Sequence, residues 1–470
     1  IIDWDFCMSS NVIEVVEDVR LDPMTVQIAS AVLGALLTVV VWNFFKLSRK
    51  KGTPFPRVVP SSGHATKLKV VGNRGGTWGP RGSLDRFNIQ KTGEEVALNE
   101  LLADKTVSLY QISHKEKQFI FVKTSKEADL WAAHHFYDVA QAMHAEELYV
   151  ATYEDCFRMA QQLKGTVKFG ESNCSYIFNT GRCGSTLLHK LLLRAGICSL
   201  SEPEWSMGIL KVMDSYEDEM DPMILALLDS CHTLAFHSAQ LNHPDAKLFS
   251  FNPKCHLTSR FLPVVHRLYP EMRLVFLSRP CAEVVESFSS IMARSPIGRT
   301  PAWKKVASCT YFTLLHPVVH ALGLSRHVVR PLSPRIYNGI VSATRGRITD
   351  DLFLRPFWGK VPPLAYLWAV DWATQVNAAQ KANNAGVELL QLDYANLKEN
   401  KEVVLLMLFG YLGLQLSRRE MDHVLEGFNE HSQKQDERGS APVGSGVRPK
   451  YLSAAHAKVV ADMGFKAYSM

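Results

Sequence analysis

Residues 176–196 read YIFNTGRCGSTLLHKLLLRAG. A short apolar run, Tyr176–Asn179, enters a turn punctuated by Gly181 and Gly184. A leucine-rich helical pattern then opens on Ser185 and Thr186 and stops at Gly196. A strand, a glycine turn and a hydroxyl-opened helix aim backbone N–H groups and the positive end of a helix dipole at one point, a combination suited to a phosphate. The turn is not GxxxxGK[ST]: no lysine follows the second glycine, and the cation is Arg182 in front of it. A plain strand-to-helix turn with its N-cap is the bland alternative.

Outward from this point, short apolar runs alternate with helical patterns. The further strands expected are Ile197–Leu200, Leu248–Phe251, Leu274–Leu277 and Leu389–Leu392. Such alternation predicts an α/β fold with a doubly wound parallel sheet, in which ligands sit beyond the carboxyl ends of the strands. In MRLVFLSRPCAEVVESF (residues 272–288) Arg279 follows one strand, Pro280 suits a first helical turn, and Ser287 lies two turns along on the same face. A cation and a hydroxyl so placed can grip one phosphate from two directions.

In this order the segments resemble the sulfotransferases that use 3′-phosphoadenosine 5′-phosphosulfate (PAPS), in particular the Golgi-membrane tyrosylprotein and carbohydrate branch, with its P-loop sulfotransferase fold. The resemblance covers about 174–452 and rests on Arg182-Cys183-Gly184-Ser185-Thr186-Leu187-Leu188, Ser201-Glu202-Pro203 and Lys254. It extends to LPVVHRLYP before the Arg279 strand, Arg279 with Ser287, Trp368, and LDYANLKENKEVVLLMLFGYLGL (residues 392–414). It implies that Arg182, Gly184, Ser185 and Thr186 hold the 5′-phosphosulfate, and that Arg279 and Ser287 hold the 3′-phosphate. Glu202 would be the general base and Lys254 would neutralise charge on the transferred group. Ser440, Arg448 and Lys450, in the basic Gly/Ser-rich stretch 431–450, would belong to a loop closing over the nucleotide. The chain departs from the family at Cys183, at Pro280 after Arg279 where Asp is frequent, and at Tyr394-Ala395-Asn396-Leu397 in place of Tyr-Glu-x-Leu. None of these removes a cation or hydroxyl that sulfuryl transfer needs. No metal is implied. The acceptor could be a small molecule, a carbohydrate or a protein. Two rival readings are a catalytically silent nucleotide-binding protein on the same fold and a P-loop kinase or NTPase. The missing lysine disfavours the second.

The 470 residues carry 52 Lys+Arg and 46 Asp+Glu, a net charge of +6 spread too thinly for a dedicated nucleic-acid binder. With 47% hydrophobic and 21% charged residues, wholesale disorder is excluded. Charge is missing altogether from Pro23 to Phe45. At about 1.5 Å per residue this segment extends roughly 33 Å, enough for a single transmembrane helix in a lipid bilayer. Residues 1–22 are acidic, with Asp3, Asp5, Glu14, Glu17, Asp18 and Asp22 against Arg20, while Lys46, Arg49, Lys50 and Lys51 follow the span. The flanking charges favour a cytosolic C-terminal domain, whereas the family resemblance implies a lumenal, Golgi one.

From 46 to 105 the chain reads as a basic, Gly/Pro-rich stem, with ten Lys/Arg against Asp85 between Lys46 and Arg86. Residues 106–170 read as a small α+β accessory region, a hairpin at 107–123 followed by a long helical stretch over 125–163, and 171–470 as the sulfotransferase-like domain. That domain carries an insertion at 295–362, whose apolar run Ala307–Leu324 is interrupted by His316, Pro317 and His320 and is placed to cover an acceptor. The nine cysteines are scattered without a zinc spacing or a disulfide pattern. His134 and His135 are adjacent, so they diverge on a helix and do not pair as ligands.

Overall fold

The computed structural model describes residues 58–73, 84–126, 130–131, 136–216, 218–254, 257–294, 363–429 and 454–468. The acidic head, the expected span at 23–45, the insertion, and Ser440, Arg448 and Lys450 lie outside the described residues. Among the described residues no helix is long and apolar enough to cross a membrane.

Two five-stranded sheets share the chain. The first is antiparallel, built from β1 (His64–Asn73), β2 (Phe87–Ala97), β3 (Val107–Ser113), β4 (Gln118–Thr124) and β5 (Ala145–Thr152) in the order β2-β1-β5-β4-β3. Helices α1 (Leu98–Ala103), α2 (Tyr137–Met143) and α3 (Tyr153–Lys164) accompany it. The second is parallel, built from β6 (Cys174–Asn179), β7 (Cys198–Ser201), β8 (Phe249–Asn252), β9 (Arg273–Ser278) and β10 (Leu389–Asp393) in the order β10-β9-β6-β8-β7. Its helices are α4 (Ser185–Arg194), α5 (Glu204–Met213), α6 (Pro222–Asn242), α7 (Thr258–Leu268), α8 (Cys281–Arg294) and α9 (Pro363–Asn384). They continue as α10 (Tyr394–Glu399), α11 (Lys401–Tyr411), α12 (Arg418–Glu426) and α13 (Ala454–Tyr468).

All five expected parallel strands are present. They were legible because strands covered on both faces become short continuous apolar runs, and all of β6, β7 and β8 is buried. Their side chains alternate between two cores: Tyr176, Phe178, Leu274 and Phe276 enter one, while Ile177, Val275 and Leu277 enter the other with Leu188, Leu405 and Leu408. Helices therefore cover both faces, as a doubly wound sheet requires. The first of these cores runs on into the antiparallel sheet, joining Ile112 and Phe119 to Trp205 and Phe249.

Two expectations are corrected. The helix over 125–163 is interrupted by β5, which pairs with β1 (Thr66↔Val150) and β4 (Phe121↔Tyr149). Leu148 and Val150 face one core and Tyr149 and Ala151 another, so a two-residue period buried on both sides passed for helical apolarity. The stem expected over 46–105 contains β1, β2 and α1. Lys67, one of the ten cations counted there, pairs with Glu94 at 3.0 Å and Glu147 at 2.9 Å, carboxylates from other strands that no local window reveals.

Candidate active site

Parallel register aligns the strand ends: Asn179 lies opposite Leu277, Ser278 opposite Asp393, and Ser201 opposite Asn252. The chain leaves β6 for β7 on one side, past β8, whereas β9, on the other side of β6, leads outward to β10, so the topological switch point where α/β sheets bind ligands lies between the carboxyl ends of β6 and β9. The expected site residues that are described emerge along this edge.

Asn179 organises the turn after β6. It is buried, its Oδ1 accepts from Gly181 N at 2.9 Å, and its Nδ2 donates to Pro253 O at 3.2 Å. Gly181, Arg182 and Gly184 then take left-handed φ values of 74°, 51° and 90°, reversing the chain so that α4 starts at Ser185. The first-turn N–H groups of a helix have no partner within it, and here they open towards the switch point beside the hydroxyl-bearing Ser185 and Thr186. Gly184 has a second constraint. A Cβ there would collide with the ring of Tyr394, 2.6 Å from Cδ2, from the first residue of α10.

The expected 5′ and 3′ anion sites are one connected cluster. Arg182 Nε donates to Ser287 Oγ at 3.0 Å, and Arg279 Nη1 donates to Arg182 O at 3.1 Å. Ser287, expected to act with Arg279, is hydrogen-bonded to Arg182. Arg279 also pairs through Nε with Glu283 at 2.8 Å, and its guanidinium lies 4.9 Å from the centre of the Tyr394 ring. Trp372 Nε1 donates to Arg279 O at 2.8 Å, tying this corner to α9.

On the other side of β6, Glu202 follows β7 with φ 51°, and its N–H donates to Asn252 O at 2.8 Å. Among the described residues the only non-glycines with positive φ are Lys117, Arg182 and Glu202. Such a conformation costs an ordinary residue about 1–2 kcal/mol. Two of the three are residues expected to carry chemistry, in keeping with the clustering of backbone strain at functional sites. Lys254, after β8, is nearly enclosed and pairs with Glu204 Oε2 at 2.8 Å and Asp138 Oδ2 at 3.7 Å. Burial pushes the Lys254 ammonium towards losing its proton, but Glu204, Asp138 and Glu202 outweigh it and hold the group above its ordinary range. Its ion-pair partners, Glu204 and Asp138, were not among the expected site residues. Glu204 was overlooked although it lies two residues beyond Glu202. Asp138, in the first turn of α2, had no signal in the sequence at all.

Among the described residues no group of three His, Cys, Asp or Glu could hold a metal ion. The six described cysteines are buried thiols; Cys7, Cys255 and Cys309 lie outside the described residues.

Comparison with protein-family models finds no match, and neither does comparison with curated proteins. Solved structures do match. The chain is similar to sulfotransferase STF9 from Mycobacterium avium, with 10% identity over 59% of this chain and 73% of that one and a TM-score of 0.35. The sulfotransferase domain of the Synechococcus PCC 7002 olefin synthase matches with 14% identity over 61% and 92%, TM-score 0.29. Sulfotransferase STF1 from Mycobacterium tuberculosis H37Rv matches with 10% identity over 60% and 82%, TM-score 0.30.

Proposed function

We propose that the chain is a membrane-anchored sulfotransferase that moves a sulfuryl group from PAPS to a hydroxyl or amine acceptor. The observation that carries this reading is the junction of Arg182, Ser287 and Arg279 at the switch point. Two guanidiniums, three hydroxyls (Ser185, Thr186, Ser287) and the start of α4 offer donors from two sides, which suits a ligand with anionic groups at both ends of a ribose. A P-loop kinase would need its lysine inside the turn.

The residues then divide the work. Glu202 takes the acceptor's proton as the acceptor oxygen or nitrogen bonds to sulfur and the bond from sulfur to the 5′-phosphate oxygen breaks. Lys254 offsets charge on the transferred group and the departing oxygen. Arg182 and Arg279 keep the bisphosphate product in place, with Ser440 and Arg448 assigned to the covering loop. The anchor is the charge-free segment 23–45. Orientation, with the Golgi lumen and the cytosol as alternatives, is read by protease protection on sealed microsomes.

Calorimetric titration tests the donor. Adenosine 3′,5′-bisphosphate is expected to bind well ahead of ATP, and Arg182→Ala or Arg279→Ala to weaken it by about 10- to 100-fold, the value of a hydrogen bond to a charged group. Absence of bisphosphate binding would overturn the proposal. Glu202→Gln should keep that affinity and lower transfer of labelled sulfate by about 10²- to 10⁴-fold; binding without transfer in the unaltered protein would leave the silent nucleotide-binding reading.

A further inference from the structure

Lys254 carries its ammonium on a flexible four-carbon stem, directly after the short strand β8. Two carboxyl groups from different layers close on it. Glu204 comes from the first turn of α5 at 2.8 Å, and Asp138 from the first turn of α2, beside the antiparallel sheet, at 3.7 Å. Asp138 is 0% exposed, and neither of its oxygens accepts a hydrogen bond among the described residues. An acidic residue in a first helical turn ordinarily serves the helix dipole or caps an N–H. This one does no capping, and the ion pair it makes is with Lys254. A buried carboxyl without hydrogen bonds is costly to keep, so its place beside the ammonium calls for a use.

The helix that carries Glu204 is held tightly against the antiparallel sheet. Helix α5 is pressed against β3 at Gly208, where a Cβ would meet the Ile112 carbonyl oxygen at 3.0 Å and its nitrogen at 3.2 Å. Tyr110 of β3 feels the charge of both carboxyls: burial raises its phenol, and Glu204 and Asp138 raise it further against the opposing Arg86. A helix beside the antiparallel sheet thus brings Asp138 to the edge of the parallel one.

We propose that Asp138, together with Glu204, is a positioning residue that clamps the Lys254 ammonium at the reacting centre, making the accessory sheet part of the catalytic apparatus. The inference rests on the sulfotransferase reading. Its test is a double-mutant cycle in the full chain, with sulfuryl transfer from PAPS and bisphosphate affinity both measured. Asp138→Asn is expected to lower kcat by about 10- to 100-fold, with KM for the donor and bisphosphate affinity within about twofold, since a mispositioned charge acts on the transition state. In a Lys254→Met background the same substitution should change kcat by less than about twofold. A role in folding alone would lower both backgrounds alike, and that result, or an unaltered kcat in Asp138→Asn, overturns the proposal. Asp138→Glu, which retains the charge, should restore part of the rate. Should Asp138→Asn fail to fold, Glu204→Gln completes an equivalent cycle with the same two outcomes. Loss of bisphosphate binding in the unaltered protein would remove the sulfotransferase reading and this one with it; binding and transfer with additive losses removes only the clamp.

Discussion

Replacing Gly184 by alanine should be among the most damaging small changes available to this chain. Two separate costs can be read from the structure. The residue has φ 90°, where a Cβ adds about 1–2 kcal/mol. The new methyl would also lie within 2.6 Å of Tyr394 Cδ2, and forcing this half-buried ring aside costs about 1–3 kcal/mol. Together these give about 2–5 kcal/mol of lost stability, measurable by urea unfolding with linear extrapolation. The costs separate in a second variant. Gly184→Ala with Tyr394→Ala removes the collision but not the backbone strain, so the double substitution should cost less than the sum of the singles by about 1–3 kcal/mol. The ring also lies against the Arg279 guanidinium, so bisphosphate affinity should fall in the single Gly184 variant as well. A loss below about 1 kcal/mol in Gly184→Ala, or strict additivity in the pair, would refute the reasoning.

Two further predictions concern buried polar groups. Asp371 on α9 is 2% exposed, and burial raises its carboxyl from 3.8 to about 7 against a hydrogen bond donated by Gln375. The folded chain therefore holds a proton that the unfolded chain releases, and stability falls as pH rises from about 4 to about 7, at up to about 1.4 kcal/mol per pH unit. Asp371→Asn should abolish this contribution, so its stability advantage over the unaltered protein should be larger at pH 8 than at pH 5; an equal difference at both would sink the idea. Tyr176 and His232, both buried, share a 2.7 Å hydrogen bond between the phenol and Nε2, and burial drives the imidazole down to about 3, keeping it neutral. Tyr176→Phe leaves that nitrogen without its partner and should cost about 1–3 kcal/mol in urea unfolding; a cost under about 0.5 kcal/mol would mean the bond is not formed.

The parallel sheet was legible because its order is written locally. Each strand is a short run of four to six residues with apolar side chains on at least one face, and the residues that follow it must lie at the sheet's carboxyl edge. The same locality misled the reading at β5, where Leu148 and Val150 face one core and Tyr149 and Ala151 another. At β1 the carboxylates that neutralise Lys67 come from β2 and β5.

Sequence alone placed Arg182, Glu202, Lys254 and Arg279 just beyond strand ends, since strand-end positions follow from strand positions, and Ser287 two turns into the helix that follows Arg279. It also marked the charge-free segment at 23–45, since a lack of ionisable residues needs no fold to be seen. Tertiary structure decided which of these groups touch. It joined Arg182 in the turn after β6 to Ser287 of α8, placed the Tyr394 ring over Gly184 and Arg279, and gave Lys254 two carboxylate partners, one of them from a helix beside the other sheet. Contacts between residues far apart in the chain depend on how layers pack and on the direction each side chain takes from its backbone, and neither is encoded in a window of neighbouring residues.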